Sequence, residues 1–338
     1  MTKLTAEYNA RQMTTENSSL PRERPRRKKS LILVLLIMTT CFSAAANVEA
    51  RIIQEGGRDY FANRPPPPVS DAAKRDMETQ LAAARARYEA NPNDAEAIIW
   101  LGRRLAYPGR FREAIEVYTK GIEKFPRDAR LYRHRGHRYI TLRKFAAAIA
   151  DFEKAAALTR GKPDEVEPDG QPNARNIPTS TLQFNIWYHL GLAYYLSGQN
   201  NRALRSYREC LKVSKNPDAL VATTHWLYMT LRRLNRSKEA VQLLVSIRPG
   251  LEIIENDGYH RLLLMYKDQI SPESLHADAL KQGSSPGAHS ILYGIGNWYS
   301  YNGRRKEALK VFQQITESDQ WTSFGYIAAE VDAKKLAR

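Results

Sequence analysis

Apolar side chains recur every three or four positions along most of the chain. Trp187, Leu190 and Tyr194 form one such stripe, and Tyr132 and Tyr139 lie on another. This spacing places the apolar residues on one face of an α-helix, whereas a half-buried strand would alternate apolar and polar residues. The pattern therefore predicts an all-α protein built from amphipathic helices.

A second pattern repeats over a longer distance: a glycine, then an alanine twelve residues later, then an aromatic residue four positions beyond. The copies are Gly102, Ala114 and Tyr118; Gly136, Ala148 and Phe152; Gly191, Ala203 and Tyr207; and Gly296, Ala308 and Phe312. A further copy, Tyr228, Ala240 and Leu244, keeps the spacing but loses the glycine and the aromatic ring. Small residues let two helix backbones approach where they cross, so each copy predicts a pair of antiparallel helices.

The spacing of the copies sets the boundaries of the repeating units. Units are predicted near residues 95–128, 129–162, 184–217, 221–254, 255–288 and 289–322. The unit at 255–288 is degenerate and is inferred because Val221 and His289, the starts of the flanking units, are two repeat lengths apart. An opening helix at 71–90 and a closing helix at 324–336 would cap the ends, as stacked repeats require. The predicted solenoid spans residues 70–338.

These positions together resemble the tetratricopeptide repeat family. The third unit carries most of the motif: Trp187, Leu190, Gly191, Tyr194, Gly198, Ala203 and Tyr207. The resemblance implies an α-solenoid of antiparallel helix pairs, wound into a right-handed superhelix with capping helices. Cys210 stands where the family usually has alanine, so we expect a small buried side chain there. Arg135 replaces an apolar residue, so we expect the second unit to pack less tightly or to bind something at that point.

The resemblance also implies a binding surface, because the first helices of stacked units line the concave face of such a superhelix. The predicted ligand-binding residues are Arg103, Arg130, Arg133, His134, His137, Asn185, Tyr188, His189, His225, Trp226, Arg232, Tyr293 and Asn297. Trp100, Tyr195 and Tyr301 are predicted on the same face. Forked arginine donors and broad aromatic rings suit an extended acidic or aromatic peptide. The alternative is that the arginines are solvated and the tyrosines pack on neighbouring helices.

No sequence motif indicates catalysis or metal binding. There is no nucleophile elbow, phosphate-binding glycine loop or metalloprotease helix motif. Gly294 and Gly296 belong to a repeat helix and do not follow a strand, so they do not form a dinucleotide loop. His134 and His137 share a helix face, but no acid or cysteine lies beside them at ligand spacing. We therefore expect no enzyme activity, no cofactor and no metal.

An insertion, residues 162–183, separates the second and third units. It contains four prolines, an Asp169-Gly170 turn signal and several acidic residues, which predict a loop. The acids do not have the spacing of a calcium-binding loop. A loop of this length inside a compact array is either disordered or functional. Its position directly before the best-formed unit favours a function.

The first 46 residues have the organisation of an export signal. Arg22–Lys29 is basic, Leu31–Met38 is wholly apolar, and Thr39–Ala46 consists of small and mildly apolar residues. The apolar stretch is shorter than the about 20 residues that a membrane-spanning helix needs. We therefore predict cleavage after Ala46 and a periplasmic or secreted mature chain.

Two alternatives to cleavage stay open: an uncleaved inner-membrane anchor, and a lipoprotein attached through Cys41. Either Met1 or Met13 is the translation start. Residues 47–69 are predicted to be a linker, since the run Pro65–Pro68 favours an extended spacer. Ser70 then reads as the N-cap of the first helix of the folded part.

Charge narrows the class of partner. The chain has 52 lysines and arginines against 36 acids, a net charge of +16, which favours acidic partners. An exported protein rarely meets nucleic acid, so a protein or peptide partner is expected, with membrane association only through the N-terminal segment. The predicted function is a non-catalytic scaffold outside the cytoplasm. The alternative is an accessory subunit of a cell-envelope enzyme or assembly complex.

Overall fold

The computed structural model describes residue 61 and residues 64–337. The predicted signal segment, Cys41 and most of the predicted linker lie outside these residues. Within them the chain is an all-α solenoid of antiparallel helix pairs, which confirms the predicted fold class. The β-type pairing found there is an isolated antiparallel bridge between Val166 and Thr181, inside the insertion. No helix of this described part is both long and apolar enough to span a bilayer.

Fourteen α-helices follow one another in the described residues. They are α1 (Asp71–Ala90), α2 (Ala95–Ala106), α3 (Phe111–Lys124), α4 (Ala129–Thr141), α5 (Phe145–Thr159), α6 (Leu182–Leu196), α7 (Asn200–Val213), α8 (Pro217–Arg233), α9 (Ser237–Leu243), α10 (Asp257–Tyr266), α11 (Pro272–Lys281), α12 (Pro286–Tyr301), α13 (Arg305–Thr316) and α14 (Phe324–Leu336). A 3-10 turn, Leu244–Ser246, extends the short α9. The pairs run from α2 with α3 to α12 with α13, so α1 precedes the array and α14 follows it.

The first helix of most pairs begins at a side-chain cap. The capping residues are Asp94, Asp128, Thr181, Asn216 and Ser285, whose side-chain oxygens accept hydrogen bonds from backbone N–H groups of the first turn. Such caps satisfy backbone donors that have no partner within the helix. These capping residues therefore define where the first helix of most pairs starts.

The turn inside each pair contains one residue in the left-handed region. In three pairs this residue is Gly109, Gly198 or Gly303, with φ of 87°, 78° and 81°. In the other three it is Arg143, Asn235 or Asp268, with φ of 59°, 58° and 58°. Asn and Asp tolerate this conformation, whereas Arg143 resists it by about 1–2 kcal/mol, so packing must hold the turn at Arg143 in place.

The repeated glycines lie against the repeated aromatic rings. A Cβ added to Gly102 would lie 2.4 Å from the ring of Tyr118, and one added to Gly191 would lie 2.6 Å from the ring of Tyr207. Gly296 faces Phe312 in the same way, at 2.5 Å. The glycine is therefore needed because the ring four residues beyond the alanine crosses directly over its backbone.

The two departures from the repeat motif have different outcomes. Cys210 is fully buried, with its Sγ 3.2 Å from the Thr223 hydroxyl, as expected for a small core side chain. Arg135 does not loosen the second unit. Its guanidinium donates two hydrogen bonds to Asp151, at 2.7 and 2.8 Å, and a third to Thr119. An ion pair between the two helices thus replaces the apolar contact.

Candidate functional site

The predicted ligand-binding residues lie on the inner face of the helix stack, but most of them are buried. The buried ones are Arg133, His134, Asn185, Tyr188, His189, His225, Trp226, Tyr293 and Asn297. Arg103, Arg130, His137 and Arg232 keep partial exposure. A face of stacked first helices would be open to solvent if nothing packed on it. The burial therefore has to come from other segments of the chain.

The C-terminal helix α14 covers the middle of this face. The ring of Phe324, its first residue, lies 5.3 Å from His137 and 5.4 Å from His189, centroid to centroid. The two histidine rings are themselves 4.7 Å apart. Further along α14, Glu330 accepts a hydrogen bond of 3.0 Å from Arg143. α14 is therefore not only an end cap, because it lies inside the array.

A buried polar network fixes the far part of α14. The carboxylate of Asp332 accepts hydrogen bonds from Arg233 and from the hydroxyl of Tyr293, the latter at 2.8 Å. Tyr293 also bonds the hydroxyl of Tyr195 at 2.9 Å, and Asn297 donates to that hydroxyl at 3.0 Å. Burial acts to lower the pKa of Arg233, but the Asp332 carboxylate outweighs it and raises that pKa. Three groups predicted on the ligand-facing side, Tyr195, Tyr293 and Asn297, are thus hydrogen-bonded to α14 or to one another.

The insertion covers another part of the face. Glu167 of the insertion is buried and forms an ion pair with Arg133, with 2.7 Å between Nη2 and Oε1. Arg104 donates a hydrogen bond of 2.9 Å to the carbonyl oxygen of Gly170. A Cβ added to Gly170 would lie 1.6 Å from the Tyr107 hydroxyl, so a larger residue there would displace the Tyr107 side chain. The insertion is therefore packed against the first two units.

These contacts correct the expectation of a continuous open face. His134, Asn185, Tyr188, His189 and His225 are core residues because α14, the insertion and neighbouring helices exclude solvent from them. The same holds for Arg133, Trp226, Tyr293 and Asn297. The tyrosines among these residues pack on neighbouring helices, as the alternative interpretation of the sequence expected. Whether any part of the inner face binds a ligand stays a prediction.

The accessible remainder at the N-terminal end is rich in arginine around a tryptophan. The Trp100 ring lies 4.4 Å from the Arg103 guanidinium and 5.0 Å from that of Arg104. The indole Nε1 donates to Glu96 at 2.8 Å, and Glu96 also accepts from Arg130 at 2.8 Å. We call Trp100, Arg103, Arg104 and Arg130 the arginine–tryptophan strip. All four are partly exposed.

A second accessible group lies at the other end of the face. The Arg232 guanidinium lies 4.3 Å from the ring of Tyr301 and donates to the Asn302 side chain at 3.1 Å. It also bonds the Tyr228 hydroxyl at 3.2 Å. All of these partners come from the chain itself, so Arg232 is held in a stacked conformation.

The histidines of the inner face are uncharged core groups. Burial lowers the pKa of His189 and of His225 to about 3. Burial, followed by the nearby positive charge of Arg133 and Arg138 respectively, also lowers the pKa of His134 and His137 well below their usual range. Among the residues that the structure describes, no three His, Cys, Asp or Glu side chains are grouped to hold a metal ion.

Two features of this region were not among the predictions made from the sequence. Arg138 lies four residues after His134, so the two share a helix face, yet the family positions do not include it. Tyr107, at the end of α2, meets the insertion only because Gly170 folds back onto it. The helix spacing could have indicated Arg138, but nothing in the sequence indicates the contact of Tyr107.

Comparison with known proteins supports the repeat at one place. A family model described as "Tetratricopeptide repeat" matches residues 184–217, which run from the third residue of α6 through α7 to the first residue of α8. Tetratricopeptide repeat protein 13 of Homo sapiens is 32% identical over 104 residues. That stretch is 31% of this chain and 10% of the human protein, so this chain spans about a tenth of the length of that relative.

Solved structures of similar helical arrays give partial superpositions. YrrB, described as a TPR protein with an unusual peptide-binding site, is 18% identical with a TM-score of 0.40, over 75% of this chain and 98% of that one. MamA is 18% identical with a TM-score of 0.40, over 59% of this chain and 95% of that one. The repeat assignment therefore rests on the match at residues 184–217 and on the recurring glycine–aromatic contacts.

Proposed function

Because the chain is a tetratricopeptide repeat protein, we propose that it is a non-catalytic scaffold that binds a protein or peptide outside the cytoplasm. The fold supports a protein partner, since stacked helix pairs offer an extended binding surface. The partner is acidic or aromatic, and it contacts the part of the inner face that the chain itself leaves accessible.

The arginine–tryptophan strip is the observation that carries this proposal. Arg103 and Arg104 lie over one indole ring. Arg130 pairs with Asp128 and with Glu96, and Glu96 also accepts a hydrogen bond from Trp100. Tryptophan and arginine are the residues most often found at the energetic centre of protein interfaces. The strip thus offers a broad apolar ring together with charged donors for a carboxylate.

Photo-crosslinking in the native host tests this site. A photo-reactive amino acid at position 100 should capture a partner, whereas the same group at position 298 should not. Trp298 is a matched control because it is also a partly exposed tryptophan, and it lies on α12 away from the strip. The Trp100→Ala variant should then lose the partner while Trp298→Ala retains it. Equal capture at both positions would move the site away from the strip.

The N-terminal segment supports a location outside the cytoplasm, through its basic, apolar and small-residue regions in that order. Fractionation of the host and sequencing of the mature N-terminus test this part of the proposal. A start near Asn47 in the periplasmic or secreted fraction is expected. A start at Met1 or Met13 would contradict cleavage and favour the membrane anchor.

A second candidate is an accessory subunit that stays bound to an envelope enzyme. It is favoured by an apolar groove lined by Leu211, Leu220, Leu243 and Val245, of which Val245 is 69% exposed. Exposed apolar groups of this kind often mark stable protein contacts. Co-purification of one catalytic protein, lost in Val245→Asp but retained in Trp100→Ala, would favour this candidate over the first.

A further inference from the structure

Three arginines of the first two units lie near one buried tyrosine, whose ring stacks at 5.8 Å on that of His134, between Arg133 and Arg138 in the sequence of α4. The Tyr118 ring crosses over Gly102 of α2, and its hydroxyl would lie 2.8 Å from a Cβ at that glycine. Arg138, Arg103 and Arg133 act on the ionisation of Tyr118 through their charges, in that order of strength. Among the described residues no group hydrogen-bonds this hydroxyl. We call Arg103, Tyr118, Arg133 and Arg138 the arginine cluster.

The cluster differs from the other enclosed arginines because its positive charge is not balanced. Arg135, Arg143 and Arg233 each form an ion pair with their own carboxylate. Among the described residues Arg103 and Arg138 form none. Arg103 lies over the ring of Trp100, and the Arg138 guanidinium is 5.8 Å from the ring of Phe111. Arg138 is partly exposed, yet burial of its guanidinium lowers its pKa to about 10, since no carboxylate pairs with it among the described residues.

One carboxylate does reach the cluster, and it is incompletely bonded. Glu167 of the insertion pairs with Arg133 through Oε1. Its Oε2 and the Nε of Arg133 are both buried and lack a hydrogen-bond partner among the described residues. Glu167 is thus the carboxylate that pairs with the cluster among the described residues, while Asp169 of the insertion acts on Arg103 only through its charge. The three guanidinium groups therefore keep an excess of positive charge. Buried charge without a partner is strongly unfavourable, so this excess favours a further anion.

We propose that the arginine cluster is an oxyanion-binding site, which takes a carboxylate or phosphate group between Arg103 and Arg138 with the Tyr118 hydroxyl as an additional donor. Guanidinium forks match the two oxygens of such groups, whereas a single-point halide gains less from them. Arg103, Tyr107 and Arg138 are partly exposed, so an anion can reach the site from solvent. The source of the anion rests on the proposed function, in which an acidic side chain of the bound peptide supplies it.

Thermal unfolding of the full-length protein tests the site. Inorganic phosphate, succinate and a glutamate-rich peptide are titrated separately at constant ionic strength, with sodium chloride as the reference. Anything that binds the folded state alone raises the Tm as its concentration increases. We expect all three to raise the Tm by several degrees, and the rise to be lost in Arg138→Gln and in Arg103→Gln. Arg205→Gln is the matched control, since Arg205 is exposed and lies on α7.

The behaviour without added anion separates a binding role from a structural one. Removal of an unbalanced positive charge should leave the Tm of Arg138→Gln in chloride unchanged or higher than that of the native protein. A lower Tm there, or a phosphate response equal to that of the native protein, would overturn the proposal. A rise in Tm with phosphate and succinate but none with the glutamate-rich peptide would assign the site to free anions. In that case the oxyanion site stands while the proposed peptide partner fails.

Discussion

The indole Nε1 of Trp321 donates a hydrogen bond of 2.7 Å to the carbonyl oxygen of Pro65, 256 residues earlier in the chain. Arg64 beside it bonds the hydroxyl of Tyr326 at 3.0 Å and lies 5.7 Å from the Trp321 ring. Pro66 packs against Gly109. The folded part therefore begins before Ser70, the residue at which the sequence predicted its start. The first prolines of the run contact the folded part and do not form a free spacer.

Trp321→Ala should destabilise the fold strongly. The side chain is 1% exposed and its ring contacts Phe61 and Phe111 at 5.9 and 5.8 Å. Removal of a buried tryptophan costs about 3–5 kcal/mol through lost contacts and the remaining cavity. Urea denaturation followed by circular dichroism measures the change. Trp321→Phe keeps a ring and loses the hydrogen bond to Pro65, so it should cost much less; equal losses would show that the hydrogen bond carries the effect.

Asp332→Ala should be as damaging, for an electrostatic reason. The mutation leaves the Arg233 guanidinium, which lies 3.9 Å from the ring of Tyr195, without its carboxylate. Removal of one partner of a buried ion pair typically costs about 3–5 kcal/mol. Hydrogen exchange should show faster exchange across 324–336. Asp319→Ala is the control because Asp319 is exposed; similar exchange in both variants would contradict the assigned role of Asp332.

Acid should destabilise the protein through its buried histidines. His225 has a pKa of about 3 when folded because burial lowers it, against about 6.5 in the unfolded chain. Between about pH 6.5 and pH 3, His225 binds a proton in the unfolded state but not in the folded state. The free energy of unfolding is therefore highest above about pH 6.5. As the pH falls below that value, it decreases by about 1.4 kcal/mol per pH unit for each such histidine.

The slope of stability against pH between 6 and 4 measures this effect. His225→Phe should reduce it, because the ring keeps its place 4.8 Å from Tyr259 but takes up no proton in the unfolded state. His276→Gln, at a partly exposed position on α11, serves as the comparison. An unchanged slope in His225→Phe would show that His225 is charged in the folded protein.

The thiol of Cys210 should be inert while the protein is folded. Burial raises its pKa to about 12, so almost no thiolate forms near neutral pH. In a Cys41→Ser background, iodoacetamide at pH 8 should leave Cys210 unmodified, and the same protein in denaturant should react fully. Mass spectrometry distinguishes the two. Rapid modification of the folded chain would place the thiol at the surface.

The fold was predictable from the sequence because its determinants are local. The contact of Gly102 with Tyr118 depends on one helix pair, and the same spacing recurs along the chain. The burial of the inner face by α14 and the insertion was not predictable in this way. Periodicity shows that Phe324 and Tyr326 face a core, but it does not identify the partner as His189 or Arg64.

The candidate site shows the same division. Arg103 and Arg133 were found because the repeat places them on the inner face, whereas their different surroundings come from the insertion. Glu167 pairs with Arg133, and no carboxylate pairs with Arg103 among the described residues. An acidic loop in the sequence indicates charge but not which arginine it will neutralise.

The placement of α14 also changes how the array should come apart. Helix pairs that touch only their neighbours melt in stages, usually from the ends inward. Here α14 contacts α6 and α12 as well as α13, and Trp321 holds the residues that precede α1. Fraying of either end therefore breaks contacts with the other end and with the middle. The described part of the chain should unfold in one cooperative transition, with a denaturant dependence that reflects all its units together.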